Sequence, residues 1–211
     1  MTPRPSPPAG SNGGSEHRRW FDPTFKIMAV KVLPGEHYVS TAGQEMIVTV
    51  LGSCVAACAW DPRMRIGGMN HFMLPDSGDD EAPIDKAMRY GNYAMEQLIN
   101  DLLRRGARRE SLEIKVFGAG NVIPGMSGGI ASVGDRNARF IRRYLDEEHL
   151  RLAAEDLGGS YPRRIHFFPR IGKVIRLFLK HEVERAVLTR EMSYRSRLAA
   201  VPIEGDVELF T

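Results

Sequence analysis

The sequence predicts an α/β domain in which antiparallel strands dominate and a few helices are layered on sheet. Three observations carry this reading. Short apolar segments rich in β-branched residues recur between turn formers, two segments repeat apolar residues at helical spacing, and the length suits one core. The chain has 211 residues, 43% hydrophobic and 26% charged, which exceeds one typical domain of about 100–150 residues and falls short of two.

Taken in order, residues 1–24 read as a disordered tail, because Pro, Gly, Ser and charge through Arg19 leave almost nothing to bury. Trp20 and Phe21 are the first plausible anchors. A single domain then spans 25–180. Lys26 to Val32 and Tyr38 to Thr41 form short strands around the turn at Pro34 and Gly35. Met46 to Leu51 is a buried strand ending at Gly52, and Val55 to Trp60 and Arg65 to Leu74 form a hairpin through Asp61, Pro62 and Arg63. Asn92 to Arg105 is an amphipathic helix with Met95, Leu98, Ile99 and Leu102 on one face, stopped by Gly106. Leu112 to Phe117 is a strand entering the glycine-rich loop Gly118 to Gly129, and a second helix from Asp135 to His149 buries Phe140, Ile141, Tyr144 and Leu145. Strands at Leu152 to Glu155, Arg164 to Phe168 and Lys173 to Leu179 complete the domain. Residues 181–211 are an extension, with a helix from Glu182 to Ser196 and an extended piece from Val207 to Phe210.

Composition excludes several function classes. Only Cys54 and Cys58 are present, too few for a disulfide framework or a four-cysteine zinc site, and their scarcity fits a reducing cytoplasm. The net charge of +3 is spread along the chain, which argues against a nucleic-acid-binding arm. Arg104, Arg105, Arg108 and Arg109 cluster at a helix end, where cations meet the negative end of the helix dipole. No apolar run approaches the roughly 20 residues of a membrane span, and the N-terminus lacks the apolar core of a secretory signal. The expectation is a soluble, unexported protein without membrane insertion.

The informative segment runs from Thr49 through Gly52-Ser53-Cys54 and Cys58 to His71 and Pro75. A two-residue turn at Pro62 and Arg63 would pair Asp61 with Met64 and, carried along the strands, make Cys54 and His71 direct partners with Cβ atoms about 4.5–5.5 Å apart. A four-residue loop would set His71 opposite Ala56, diagonal to Cys54 on the same face. Only an odd shift, such as a bulge at Gly67 and Gly68, would separate the two. The pairing matters because the thiolate is the nucleophile and an adjacent imidazole can take the thiol proton. Cys54 and His71 are therefore a candidate dyad, with the backbone N–H groups of Ser53 and Cys54 as candidate oxyanion donors and Thr49 as the nearest polar residue to orient the imidazole. A cysteine in an apolar stretch is also simply a small core residue, and Cys58, with no matching histidine, is read that way. A metal site from Cys54, Cys58 and His71 is the weaker alternative.

The other histidines carry less. His17 lies in the tail, His37 beside a turn, His149 near a helix C-terminus and His166 within an apolar strand. The loop Gly118 to Gly125 lacks the spacing of a dinucleotide fingerprint and the Lys-Ser/Thr of a P-loop, which excludes nucleotide binding.

The run LGSCVAACAWDPRMRIGGMNHFMLP resembles the signature of the CheD family, the chemoreceptor glutamine deamidases. The resemblance continues in order through YGNYAMEQLINDLLRRGA, IKVFGAGNV, VGDRNARF, DLGG and RRIHFFPRIGKV, from about Val30 to Leu179. It implies a single three-layer α/β/β sandwich with a mostly antiparallel sheet and an active site distantly like those of toxin deamidases and papain-like thiol enzymes. By resemblance Cys54 is the nucleophile, His71 the general base and Thr49 the third member of a triad. The implied substrates are glutamine side chains on the cytoplasmic helical bundle of methyl-accepting chemotaxis receptors, with no metal or cofactor required. A CheC-type phosphatase is an implied second partner. Two departures from the family pattern are Gly118-Ala119-Gly120, where a Gly-Gly pair is common, and Pro162-Arg163, where Gly-Arg is common. A cysteine peptidase, or a non-catalytic module that regulates receptors or a phosphatase, is the alternative reading.

Overall fold

The computed structural model describes residues 17–40, 44–74, 84–122, 132–179 and 181–200. The extended piece expected at Val207 to Phe210, and most of the N-terminal tail, lie outside the described residues. The strands are β1 (Arg19–Asp22), β2 (Ile27–Lys31), β3 (His37–Val39), β4 (Glu45–Leu51), β5 (Val55–Asp61), β6 (Ile66–Asn70), β7 (Glu113–Gly118), β8 (Arg151–Leu157), β9 (Arg163–Phe168) and β10 (Lys173–Phe178). The helices are α1 (Ile84–Arg104), α2 (Val133–Glu147) and α3 (His181–Ala200).

Two five-stranded sheets form, one ordered β1-β2-β4-β9-β10 and the other β3-β6-β5-β7-β8. Among the described strands only β2·β4 and β7·β8 pair in parallel. Strand alternation sorts the side chains into layers. Ile47 and Leu51 of β4 meet Ala56 and Cys58 of β5 between the sheets, whereas Met46 and Val48 pack on the outer face of the first sheet. The opposite face of β5 contributes Val55, Ala57 and Ala59 to a core shared with Met95, Leu98 and Ile99 of α1 and Phe140 and Ile141 of α2. The chain is thus a mixed α/β domain, with two helices packed on one sheet and the second sheet on its far side. Because β5 is covered on both faces, it reads as a continuous apolar run of small residues.

Several sequence expectations are corrected. Arg19–Asp22, assigned to the tail by composition, is an edge strand paired with β2; Trp20 supplies the burial, packing against the outer cluster. Helix α1 begins at Ile84, eight residues before the start expected at Asn92. Helix α2 is shifted to Val133–Glu147 by a capping box, in which Ser132 and Asp135 satisfy each other's backbone N–H groups. The hairpin turn holds four residues, with Asp61 facing Ile66. The cause is local: the Asp61 carboxylate accepts the N–H groups of Arg63 and Met64 at 2.8 and 3.0 Å, a side-chain turn that draws both residues out of the ladder. Arg65 closes the loop at φ +55°.

Candidate active site

The site forms where the chain leaves the first sheet, after β4, and enters the second at β5. Residues Gly52, Ser53 and Cys54 make this crossover, and each of their carbonyls is held from behind. Gly120 N–H donates to the Gly52 carbonyl at 2.7 Å, Asn137 Nδ2 to the Ser53 carbonyl at 2.8 Å and Ala119 N–H to the Cys54 carbonyl at 2.7 Å. The loop after β7 approaches closely enough that a Cβ on Gly118 would fall 2.1 Å from the Cys54 carbonyl oxygen. Ala119, one of the two family departures, takes the left-handed φ of +55° that glycine adopts without strain.

With the carbonyls turned away, the three N–H groups converge on the opposite side. There they meet the carboxylate of Glu191 from α3. Gly52 N–H donates to Oε1 at 2.8 Å, Cys54 N–H to Oε1 at 3.2 Å, and Ser53 N–H and Oγ to Oε2 at 2.8 Å each. Gly52 is needed for this approach, since a Cβ there would lie 2.7 Å from Oε2. The arrangement is an anion-binding nest of consecutive backbone amides, the type of donor set that stabilises a developing oxyanion. It includes the two donors expected from sequence, Ser53 and Cys54, and adds Gly52.

His71 follows β6 and does not lie directly across from Cys54. The β5·β6 register continues through the Val55–Phe72 bridge, so His71 stands opposite Ala56 and Cys54 opposite Met73. The direct pairing expected from a two-residue turn is therefore replaced by the diagonal one, and the ladder runs through Gly67 and Gly68 without a bulge. Thr49 shares the inward face of β4 with Ile47 and Leu51 and reaches His71 from the facing sheet, with Oγ1 2.7 Å from Nδ1. The same hydroxyl donates to the Val32 carbonyl at 2.8 Å. A hydroxyl has one proton, so with Val32 as its acceptor Thr49 must accept from His71. Nδ1 then carries the hydrogen and Nε2 keeps its lone pair. Nε2 is buried and has no hydrogen-bond partner in this structure, so the thiol–imidazole hydrogen bond of a working dyad is not formed here.

The electrostatics match an unionised pair. Burial pushes the Cys54 thiol well above its ordinary range, and the Glu191 carboxylate facing it adds to the effect. Burial lowers His71 to about 3, outweighing its interaction with the Val32 carbonyl and reinforced by the positive charge of Arg190. Cys58 is also fully buried and its thiol is raised by burial, against the opposing positive charge of Lys115, as expected of a packing residue. Among the described residues no three His, Cys, Asp or Glu side chains are grouped to hold a metal ion. No helix among them is long and apolar enough to cross a membrane. A cavity of about 500 Å³ borders His71, Gly35 and Tyr90.

Two residues of this site escape sequence reasoning. Asn137 is fully buried, and besides holding Ser53 it accepts the Leu74 N–H at 2.9 Å, so α2 braces both the crossover and the segment after His71. Its signal was its place in VGDRNARF, on the helix face that buries Ala138 and Ile141. Glu191 had no local signal, because its partners lie 137–139 positions earlier.

Comparison with known proteins bears on the whole chain. The family model described as CheD chemotactic sensory transduction matches residues 73–176. A protein of Janthinobacterium sp. (strain Marseille) is 52% identical over 193 residues, covering 91% of this chain and 94% of its own length. Another, from Rhodopseudomonas palustris (strain BisA53), is 52% identical over 196 residues, covering 92% and 89%. A third, from Hahella chejuensis, is 47% identical over 210 residues, covering 99% and 97%. Each bears the name "Probable chemoreceptor glutamine deamidase CheD". With identity near one half across nine-tenths of its length, the chain belongs to the CheD family.

Proposed function

We propose that this protein is a chemoreceptor glutamine deamidase. It hydrolyses the side-chain amide of glutamines on methyl-accepting chemotaxis receptors to glutamate and ammonia, with Cys54 as nucleophile, His71 as general base and Thr49 as its orienting partner. The observation that carries the chemistry is the His71–Thr49–Val32 hydrogen-bond chain, which leaves an unshared lone pair on Nε2, on the sheet face shared with Cys54, whose N–H belongs to the amide nest. The relatives' names supply the substrate class.

In the reaction Nε2 takes the thiol proton as Sγ attacks the carboxamide carbon, and the oxyanion is held by the N–H groups of Ser53 and Cys54, with Gly52 adjoining. The C–N bond breaks and ammonia leaves with the proton returned by His71. Water then attacks the thioester while His71 accepts its proton, and the C–S bond breaks to give glutamate and the free thiol. Thr49 holds the imidazole in the tautomer that every step uses. The papain-like comparison rests on this order of roles. The reading places the enzyme in the cytoplasm, on the receptors' helical bundle, with a CheC-type phosphatase as a second partner.

Intact-mass measurement of receptor fragments incubated with the protein tests the reaction. Deamidation leaves each fragment whole with an amide-to-acid mass change, cleavage into two pieces would establish a peptidase, and receptor regulation that survives Cys54→Ala would establish a non-catalytic module.

A further inference from the structure

The C-terminal helix seats a carboxylate in the amide nest. Glu191 is 3% exposed and receives four hydrogen bonds there, a high degree of engagement for a side chain whose type is seldom fully buried. Tyr194, one turn along, is buried as well; its hydroxyl hydrogen-bonds that of Tyr90 on α1, and it lies over Gly35. Leu198, a further turn along, packs on the inter-sheet core. These three positions form one stripe of the helix. Around them Met192, Ser193, Ser196 and Arg197 face solvent.

We propose that α3 is an internal product mimic that latches the active site shut, with Glu191 occupying the place of the glutamate formed from a receptor glutamine. The inference rests on the deamidase reading above, which supplies the identity of the product. Two features favour a product over a generic plug. The group in the nest is a glutamate side chain, and its oxygen Oε1 accepts from the nucleophile's own N–H. The nest also favours acid over amide. Both carboxylate oxygens accept here, whereas a carboxamide would set its NH₂ against the Ser53 N–H donor. While the latch is seated, substrate has no room at Cys54, the thiol stays protonated, and Arg190 of the same helix disfavours an imidazolium at His71. A helix presenting glutamine must displace α3 before the thiol can react, so the site selects for helical partners able to compete with this stripe.

The test uses the full chain carrying Cys58→Ala, which leaves Cys54 as the single thiol, with Glu191→Ala and Glu191→Gln added in turn. The readouts are the iodoacetamide alkylation rate and peptide mass at position 191, with cooperative thermal unfolding confirming that each variant is folded. Glu191→Ala is expected to speed alkylation about tenfold or more, as a set of charge-assisted bonds is lost, and Glu191→Gln to give a smaller increase. The glutamine at 191 is further expected to convert slowly to glutamate, and to persist when Cys54→Ala is added. Unchanged alkylation in both folded variants overturns the latch, whatever happens on receptors. Faster alkylation with glutamine 191 unconverted, in a protein that deamidates receptor fragments, overturns the product-mimic assignment. Faster alkylation with no deamidation of any receptor fragment by any variant leaves the latch standing and counts against the deamidase reading.

Discussion

The two sides of the Gly52–Cys54 crossover are held by different parts of the molecule. On the carbonyl side the partners are Ala119, Gly120 and Asn137, from the loop after β7 and from α2. On the amide side the partner is Glu191, from the last helix. The domain thus fixes the peptide planes by itself, so that lifting α3 exposes a nest already shaped for an anion. Preorganised donors of this kind need no rearrangement as charge develops. The Thr49–His71 pair belongs with the carbonyl side, since the domain's own strands, the Val32 carbonyl and the Gly35–Glu36 turn hold it.

This division can be broken at its catalytic end first. Thr49→Val removes the acceptor for Nδ1–H while keeping the shape, and should lower kcat about 100-fold with little change in KM, within the usual range for mispositioned acid–base groups. Thr49→Ser should recover most of the loss. A Val variant with wild-type kcat would remove Thr49 from the triad.

The carbonyl side is tested by Asn137→Ala, which leaves the Ser53 carbonyl and the Leu74 N–H buried without partners. Urea unfolding should report a destabilisation of about 2–4 kcal/mol. A much smaller loss would mean that the crossover is not braced from α2.

The Thr49–His71 pair also predicts a pH signature. His71 is held near 3 in the folded protein by burial, against about 6.5 in an unfolded chain. Below 6.5 the unfolded state binds a proton that the folded state refuses. This contribution to stability is therefore complete above pH 6.5 and falls as pH drops toward 3, by up to about 1.4 kcal/mol per pH unit. His71→Gln should flatten the dependence. Equal slopes for the two proteins between pH 6 and 4 would contradict a neutral buried imidazole; those limits are about the window set by the two pKa values.

The two sides were not equally legible in the sequence. Met95, Leu98, Ile99 and Leu102 announced α1 because helical periodicity is a local property, and the apolar run after Thr49 announced β4 and β5. Cys54 and His71 fall on one face, as expected, because hairpin arithmetic keeps an even offset, and both the two-residue and the four-residue turn obey it. The turn length itself depended on Asp61 accepting the amides of Arg63 and Met64, a side-chain choice that spacing does not encode. Edge strand β1 is hidden by its composition, since it is held by backbone pairing with β2, which any residue but proline can make. Glu191 was beyond reach for a different reason: its role exists only through three amides far earlier in the chain, and a lone glutamate on a mixed-charge helix looks solvated.

Peptide mass mapping of receptors co-expressed with this protein shows whether Cys54 carries out glutamine deamidation. Wild type and Cys58→Ala are predicted to convert the same receptor glutamines to glutamate, while Cys54→Ala leaves them as glutamine. Conversion at wild-type levels by Cys54→Ala would rule out Cys54 as the nucleophile.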